Sequence, residues 1–146
     1  MSNQRVHVAI AILYSSDQFL LQLRDNIPSI VYPGHWGLFG GHLEADETPD
    51  IAVERELLEE IAYVPSVLSQ FGCYCDQRVI RHVYHAPLTV EVNQLVLQEG
   101  WDMGLLTTEQ IRQGSSYSLK ANKVCPLVPA AQSILLDFIG GVLNDF

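Results

Sequence analysis

Residues 40–60 of this 146-residue chain carry the pattern that most limits how it folds. Gly40-Gly41 precedes Thr48-Pro49, and a carboxylate-rich segment follows. Thr48 has the side chain of an N-cap, and Pro49 suits the first helical position, where its missing N–H costs nothing. Asp50 falls in the first turn, where the helix dipole favours an acid. The spacing predicts a Gly-Gly turn, then a helix over residues 48–62. Val64-Pro65 should end it, because a residue before proline avoids the helical region. Ile51, Leu58, Ile61 and Ala62, with Leu57 nearby, are the expected apolar stripe that docks on a sheet.

The acids project from the other side in this reading. At about 100° per residue, Glu56, Glu59 and Glu60 fall within an arc of roughly 100°. Glu56 and Glu60 repel at i,i+4, at a cost of roughly a few tenths of a kcal/mol in a bare helix. Three acids gathered this way call for a cation. Carboxylate oxygens without Cys or His suit Mg²⁺ or Mn²⁺. Arg55 has the i,i+4 spacing to pair with Glu59 and hold it in place. The competing reading is an amphipathic helix whose acidic face simply meets water.

Taken together, Gly41, Glu47, Arg55, Glu56, Leu57, Glu59 and Glu60 resemble the Nudix box. That box runs Gly-x5-Glu-x7-Arg-Glu-aliphatic-x-Glu-Glu-x-Gly-aliphatic. Two positions depart from it: Ala62 stands where the box has its last Gly, and Tyr63 where it has the closing aliphatic residue. Every acidic and basic position is intact, so the departures touch the helix exit. The flanks are similar to the family as well, with Trp36-Gly-Leu-Phe-Gly-Gly before the box and Glu99-Gly-Trp101 after it.

The resemblance implies an α/β fold, a Nudix-type α/β/α sandwich with a mixed sheet, formed by residues 1–146 as a single domain. It implies hydrolysis of a nucleoside diphosphate linked to another group X by attack of water on a pyrophosphate phosphorus. MutT-like cleavage of a (deoxy)nucleoside triphosphate is one form; an NDP-sugar or ADP-ribose is the alternative. A further alternative is a non-catalytic nucleotide-binding or regulatory module. Under the enzymatic reading, Glu56, Glu59 and Glu60 hold the metal, and a carbonyl of Gly40 or Gly41 adds a ligand. Arg55 orients a metal-binding carboxylate, and Glu47 either ligates through water or braces the loop. The base is one of the helix acids or Glu99. Arg24 is a candidate phosphate contact and Trp36 a candidate stacking surface for a base, each weighed against an ordinary surface Arg and a core anchor. A homodimer is common in the family.

Composition bounds the rest. The net charge of −9 excludes duplex nucleic acid as the expected partner, since phosphate backbones demand basic patches. No apolar run approaches about 18 residues, so no membrane span is expected. Val6–Leu13 resembles a signal-peptide core but lacks a convincing cleavage site, and is read as a buried strand of a cytoplasmic protein. Cys73, Cys75 and Cys125 lack the CxxC spacing of zinc or redox sites and are read as free buried thiols. The remaining expected elements are strands over residues 5–13, 18–24, 36–39, 67–75, 79–85 and 89–98. A short helix over residues 107–113 and an amphipathic helix over residues 128–142 complete the list.

Overall fold

The computed structural model describes residues 4–141. Its contacts separate two compact units, each drawn from two stretches of chain: the segment up to Leu13 with Phe39–Gln98, and Tyr14–Leu38 with the segment from Glu99.

The first unit holds most of strand β1 (Val6–Ser15), β4 (Phe39–His42), helix α1 (Pro49–Ile61), β5 (Ser69–Cys75) and β6 (Val79–Pro87). Strands β1 and β4 pair antiparallel, with Ala9 opposite Gly41 and Ile10 opposite Gly40. The expected Gly-Gly turn is therefore a strand. Gly40 adopts φ 140°, and a Cβ on it would stand 2.1 Å from the Ala9 carbonyl oxygen, so only glycine fits this close approach. Strands β5 and β6 form an antiparallel hairpin with a register shift between Gln70 and Gly72. Its turn is tied by Asp76, whose carboxylate accepts from the Arg78 and Val79 amides and from Arg81.

Helix α1 starts where expected. Thr48 caps it, its hydroxyl accepting from the Ile51 amide, and Ala62 ends it in the left-handed region at φ 55°. Its buried face differs from the expected stripe. Ala52, Val53, Leu57, Glu60 and Ile61 are buried, whereas Ile51 and Leu58 are each 58% exposed. Residues 53, 57, 60 and 61 follow the helical repeat through a position occupied by an acid, so an apolar-only count selects the wrong face.

A second correction concerns residues 89–98. They alternate like a strand, but the structure has only a short 3-10 turn at Val92–Gln94 followed by extended chain. Their donors go to the end of α1. The Val96 amide donates to the Ile61 carbonyl, the Gln98 amide to Glu60, and the Gln98 side chain to the carbonyls of Leu58 and Glu59. The carbonyls of Glu59, Glu60 and Ile61 are last-turn groups of the kind that a helix leaves without internal partners, and the Leu58 carbonyl also accepts from the Ala62 amide. The extended, period-two segment serves as a helix cap.

In the second unit, β2 (Gln18–Leu23) pairs antiparallel with β3 (Trp36–Gly37) and with β7 (Asp102–Thr107). Phe19, Leu20, Leu21, Gln22 and Leu23 are buried without a break, which fits a strand covered on both faces. Helix α2 (Thr108–Gln113) opens on a reciprocal Thr107–Gln110 capping box and ends at Gly114, φ 80°. A hairpin of β8 (Ser115–Ser118) and β9 (Lys123–Pro126), for which no strand is expected from the sequence, follows α2. Helix α3 (Pro129–Gly141) buries Ile134, Leu135, Phe138 and Ile139 as expected. Val142, the last residue of the predicted helix, lies outside the described residues. No helix among the described residues is long and apolar enough to cross a membrane.

Candidate active site

The connection from β4 into α1 gathers the carboxylates. Strand β4 delivers Gly40 and Gly41 to the side of α1 that carries Glu56 and Glu60. The Gly40 amide donates to Glu60 Oε1 at 2.8 Å, which gives this acid, only 3% exposed, a fixed partner. Gly41 lies so close to Glu56 that a Cβ on it would fall 2.6 Å from Glu56 Oε1. Gly41 thus lets one carboxylate approach the strand backbone, and the Gly40 amide holds a second by a hydrogen bond. The predicted arc of acids is present, but it begins inside the buried face with Glu60, passes through half-buried Glu56 and ends at exposed Glu59.

Arg55 joins these groups. Its Nε and Nη2 donate to both oxygens of Glu47 at 2.6 and 2.9 Å, a bidentate pair. Nη1 donates to Glu56 at 3.0 Å and to Glu59 at 3.3 Å, and lies 3.5 Å from Glu44. Nη2 also donates to the His42 carbonyl at 3.1 Å. The i,i+4 bond to Glu59 is therefore one strand of a wider network. Glu47 also accepts from the Glu44 amide at 2.8 Å, so it ties the loop after β4 to the helix. The Arg55 bonds, then the Glu44 amide, pull the Glu47 carboxyl down to about 2. Arg55 is pushed above its usual value, chiefly by Glu47, so it stays charged. The contacts of Glu44 and the His42 carbonyl have no signal in residue spacing.

The donor chemistry fits a hard divalent cation: Glu56 and Glu60 carry carboxylate oxygens beside Gly41 and Gly40, Glu59 adds a third acid on the same helix, and the set holds no sulfur or imidazole. As the side chains stand, no three His, Cys, Asp or Glu groups among the described residues converge on one point.

The other expected site residues belong to the second unit. Arg24 donates from Nε to the Val31 carbonyl at 2.7 Å, and its own amide and carbonyl meet the His35 carbonyl and the Gly34 amide. It closes the loop over residues 24–35. Trp36 is 2% exposed and its Nε1 donates to the Ser116 carbonyl at 3.0 Å, so its ring is a core anchor with no face open to a base. Glu99 is exposed in a bend before Gly100 instead of ending a strand.

The cysteines also correct an expectation. Cys125 is buried, but Cys73 and Cys75 are exposed on β5.

A family model described as NUDIX domain matches residues 3–116. The chain is similar in fold to a MutT NUDIX hydrolase from Burkholderia pseudomallei, with 21% identity over 91% of this chain and 97% of that one and a TM-score of 0.69. The MutT protein from Methanosarcina mazei Go1 gives 21% identity over 94% and 95%, with a TM-score of 0.68. The NUDIX domain of Shewanella oneidensis NrtR, crystallised with ADP ribose, gives 20% identity over 92% and 86%, with a TM-score of 0.70. At these identities the likeness is one of fold, and it agrees with the expected α/β class. Among curated proteins, none matches the sequence.

Proposed function

Since the chain belongs to the NUDIX family, a family of pyrophosphohydrolases, we propose that it hydrolyses the pyrophosphate linkage of a nucleoside diphosphate linked to a group X, with Mg²⁺ or Mn²⁺ as cofactor. A (deoxy)nucleoside triphosphate is the first substrate class to test. The NrtR domain crystallised with ADP ribose keeps diphosphate-linked sugars in the same panel. The observation that carries the reading is the Arg55 network, which ties Glu56, set against Gly41, to Glu59, while Glu60 meets the Gly40 amide.

In this reading Glu56, Glu59 and Glu60 hold the ion, with a carbonyl of Gly40 or Gly41 as a further ligand. When bound, the cation masks phosphate charge and lowers the pKa of water. Arg55 works through other groups: its rigid fork fixes the orientation of Glu56 and Glu59. Glu47 holds Arg55 in turn and keeps the loop against the helix. An acidic chain meeting a polyanion needs this neutralisation, because its net charge of −9 otherwise repels the substrate. The proton acceptor for water is one of the helix acids or Glu99. We place the reaction in the cytoplasm, on a nucleotide and not on a nucleic acid or membrane, with one chain or a homodimer as the acting species.

The test is a phosphate-release screen with Mg²⁺ and Mn²⁺ against nucleoside triphosphates, NDP-sugars, ADP-ribose and dinucleoside polyphosphates. Metal-dependent release from one class is expected, and Glu56→Gln and Glu60→Gln should each lower turnover by orders of magnitude while circular dichroism is unchanged. Wild-type turnover in both variants would overturn the assignment. Nucleotide binding without release across the panel would favour the non-catalytic module.

A further inference from the structure

Strand β5 presents a second set of donors, chemically unlike the first. Cys73 and Cys75 are two residues apart, so a strand places both thiols on one face. Their sulfurs stand 3.7 Å apart, and both residues are exposed. With metal–sulfur bonds of about 2.3 Å, tetrahedral coordination sets two thiolate sulfurs about 3.8 Å apart. The pair therefore already has nearly the spacing of a chelating edge, so little side-chain rearrangement is needed to bind.

The surroundings are also nitrogen-rich. Cys73 is the register partner of His82 across the hairpin, which puts the two side chains on the same face. His82 Nε2 lies 2.9 Å from His7 Nδ1, and the rings stack with centroids 5.2 Å apart and planes 13° apart. Cys73 and His82 line one hollow together with Gly72 and Tyr84. Thiolate beside imidazole suits soft and borderline cations, whereas the carboxylates of α1 suit hard ones.

We propose that Cys73 and Cys75 form a chelating pair for a thiophilic divalent cation such as Zn²⁺, at a site separate from the α1 carboxylates. On loading, each thiol releases its proton to solvent and each sulfur forms one bond to the ion. Among the described residues no third protein donor converges on this point, so water or a small solution thiol fills the remaining positions beside the His7–His82 pair.

Cd²⁺ is the probe, because its thiolate charge-transfer absorption reports sulfur ligation and is silent for carboxylates. The full chain, held reduced by a phosphine, is titrated with Cd²⁺ in excess Mg²⁺. A saturable band at one equivalent is expected, lost in Cys73→Ser and in Cys75→Ser and kept in Cys125→Ser. No band in the wild type, or a band surviving in the Cys73→Ser/Cys75→Ser double variant, overturns the proposal. If the serine variants fold poorly, alkylation of the wild type gives the second route. Cd²⁺ should protect Cys73 and Cys75 from iodoacetamide, as located by mass spectrometry, and equal labelling with and without Cd²⁺ overturns the proposal. Neither readout depends on hydrolysis, so the outcome is independent of the function proposed above.

Discussion

Arg55 and Glu47 form the pair on which the geometry around α1 depends, and this pair has a pH signature. The folded state holds the Glu47 carboxyl at about 2, below its ordinary 4.5, because Arg55 and the Glu44 amide favour the carboxylate. The contribution of Glu47 to stability is therefore complete above about pH 4.5 and is lost as the pH falls toward 2. Urea unfolding of the wild type and Glu47→Gln should show a gap at pH 7 that narrows steadily below pH 4.5. A gap that does not change with pH would mean that Glu47 acts by packing alone. The sequence spacing points to Arg55 and its i,i+4 partner Glu59, since that pairing is local to a helix. It gives no hint that Glu44 and the His42 carbonyl also meet Arg55, because those contacts depend on how the loop after β4 returns to the helix.

At the level of elements, β4 and α1 meet through glycine. Gly41→Ala would place a Cβ against Glu56, a movable side chain, so the helix acid should shift at little cost to stability while turnover falls at least tenfold. Gly40→Ala would set a Cβ against the Ala9 backbone oxygen at an unfavourable φ, and should destabilise the protein by about 3 kcal/mol or more. Paired unfolding curves and kinetics on the two variants separate these effects; equal stability losses would contradict them. The helix exit offers the opposite change. Ala62 sits at φ 55°, where a non-glycine residue is strained by roughly 1–2 kcal/mol. Ala62→Gly should raise stability by about 0.5–1 kcal/mol after the entropy cost of glycine, a few degrees in Tm by calorimetry. The neighbouring Tyr63 has a role of its own, its hydroxyl meeting the Thr89 side chain and amide.

For the whole molecule, the proposed ion would link function to stability. A cation that binds the folded chain alone adds about 2.7 kcal/mol at a free concentration 100-fold above its Kd. Mg²⁺ should therefore raise Tm measurably, a chelator should reverse the rise and abolish turnover, and Glu56→Gln and Glu60→Gln should lose both effects. A Tm that ignores Mg²⁺ at millimolar concentration would count against the carboxylate site. This readout tests metal binding even where the right substrate has not been supplied.

The sequence by itself determined α1, from its Thr48-Pro49 start to its stop near Pro65. It also determined β1, β2, the β5–β6 hairpin, α2 and α3. Each of these is written in local terms: caps, turn residues and a periodicity that a short window contains. The spacing of Arg55, Glu56, Glu59 and Glu60 was equally local, so the family and the acidic set were legible. Only the tertiary structure decided which face of α1 is buried, because Glu60 is covered by accepting a bond from Gly40, a partner twenty residues away. Only the fold turned residues 89–98 from an apparent strand into a cap on the last turn of α1, since extended chain pairs with whatever acceptors stand beside it. It also decided that Trp36 is committed to the core and that Cys73 and Cys75 face solvent. Burial of a side chain is set by what packs over it, and that is not written in its own segment.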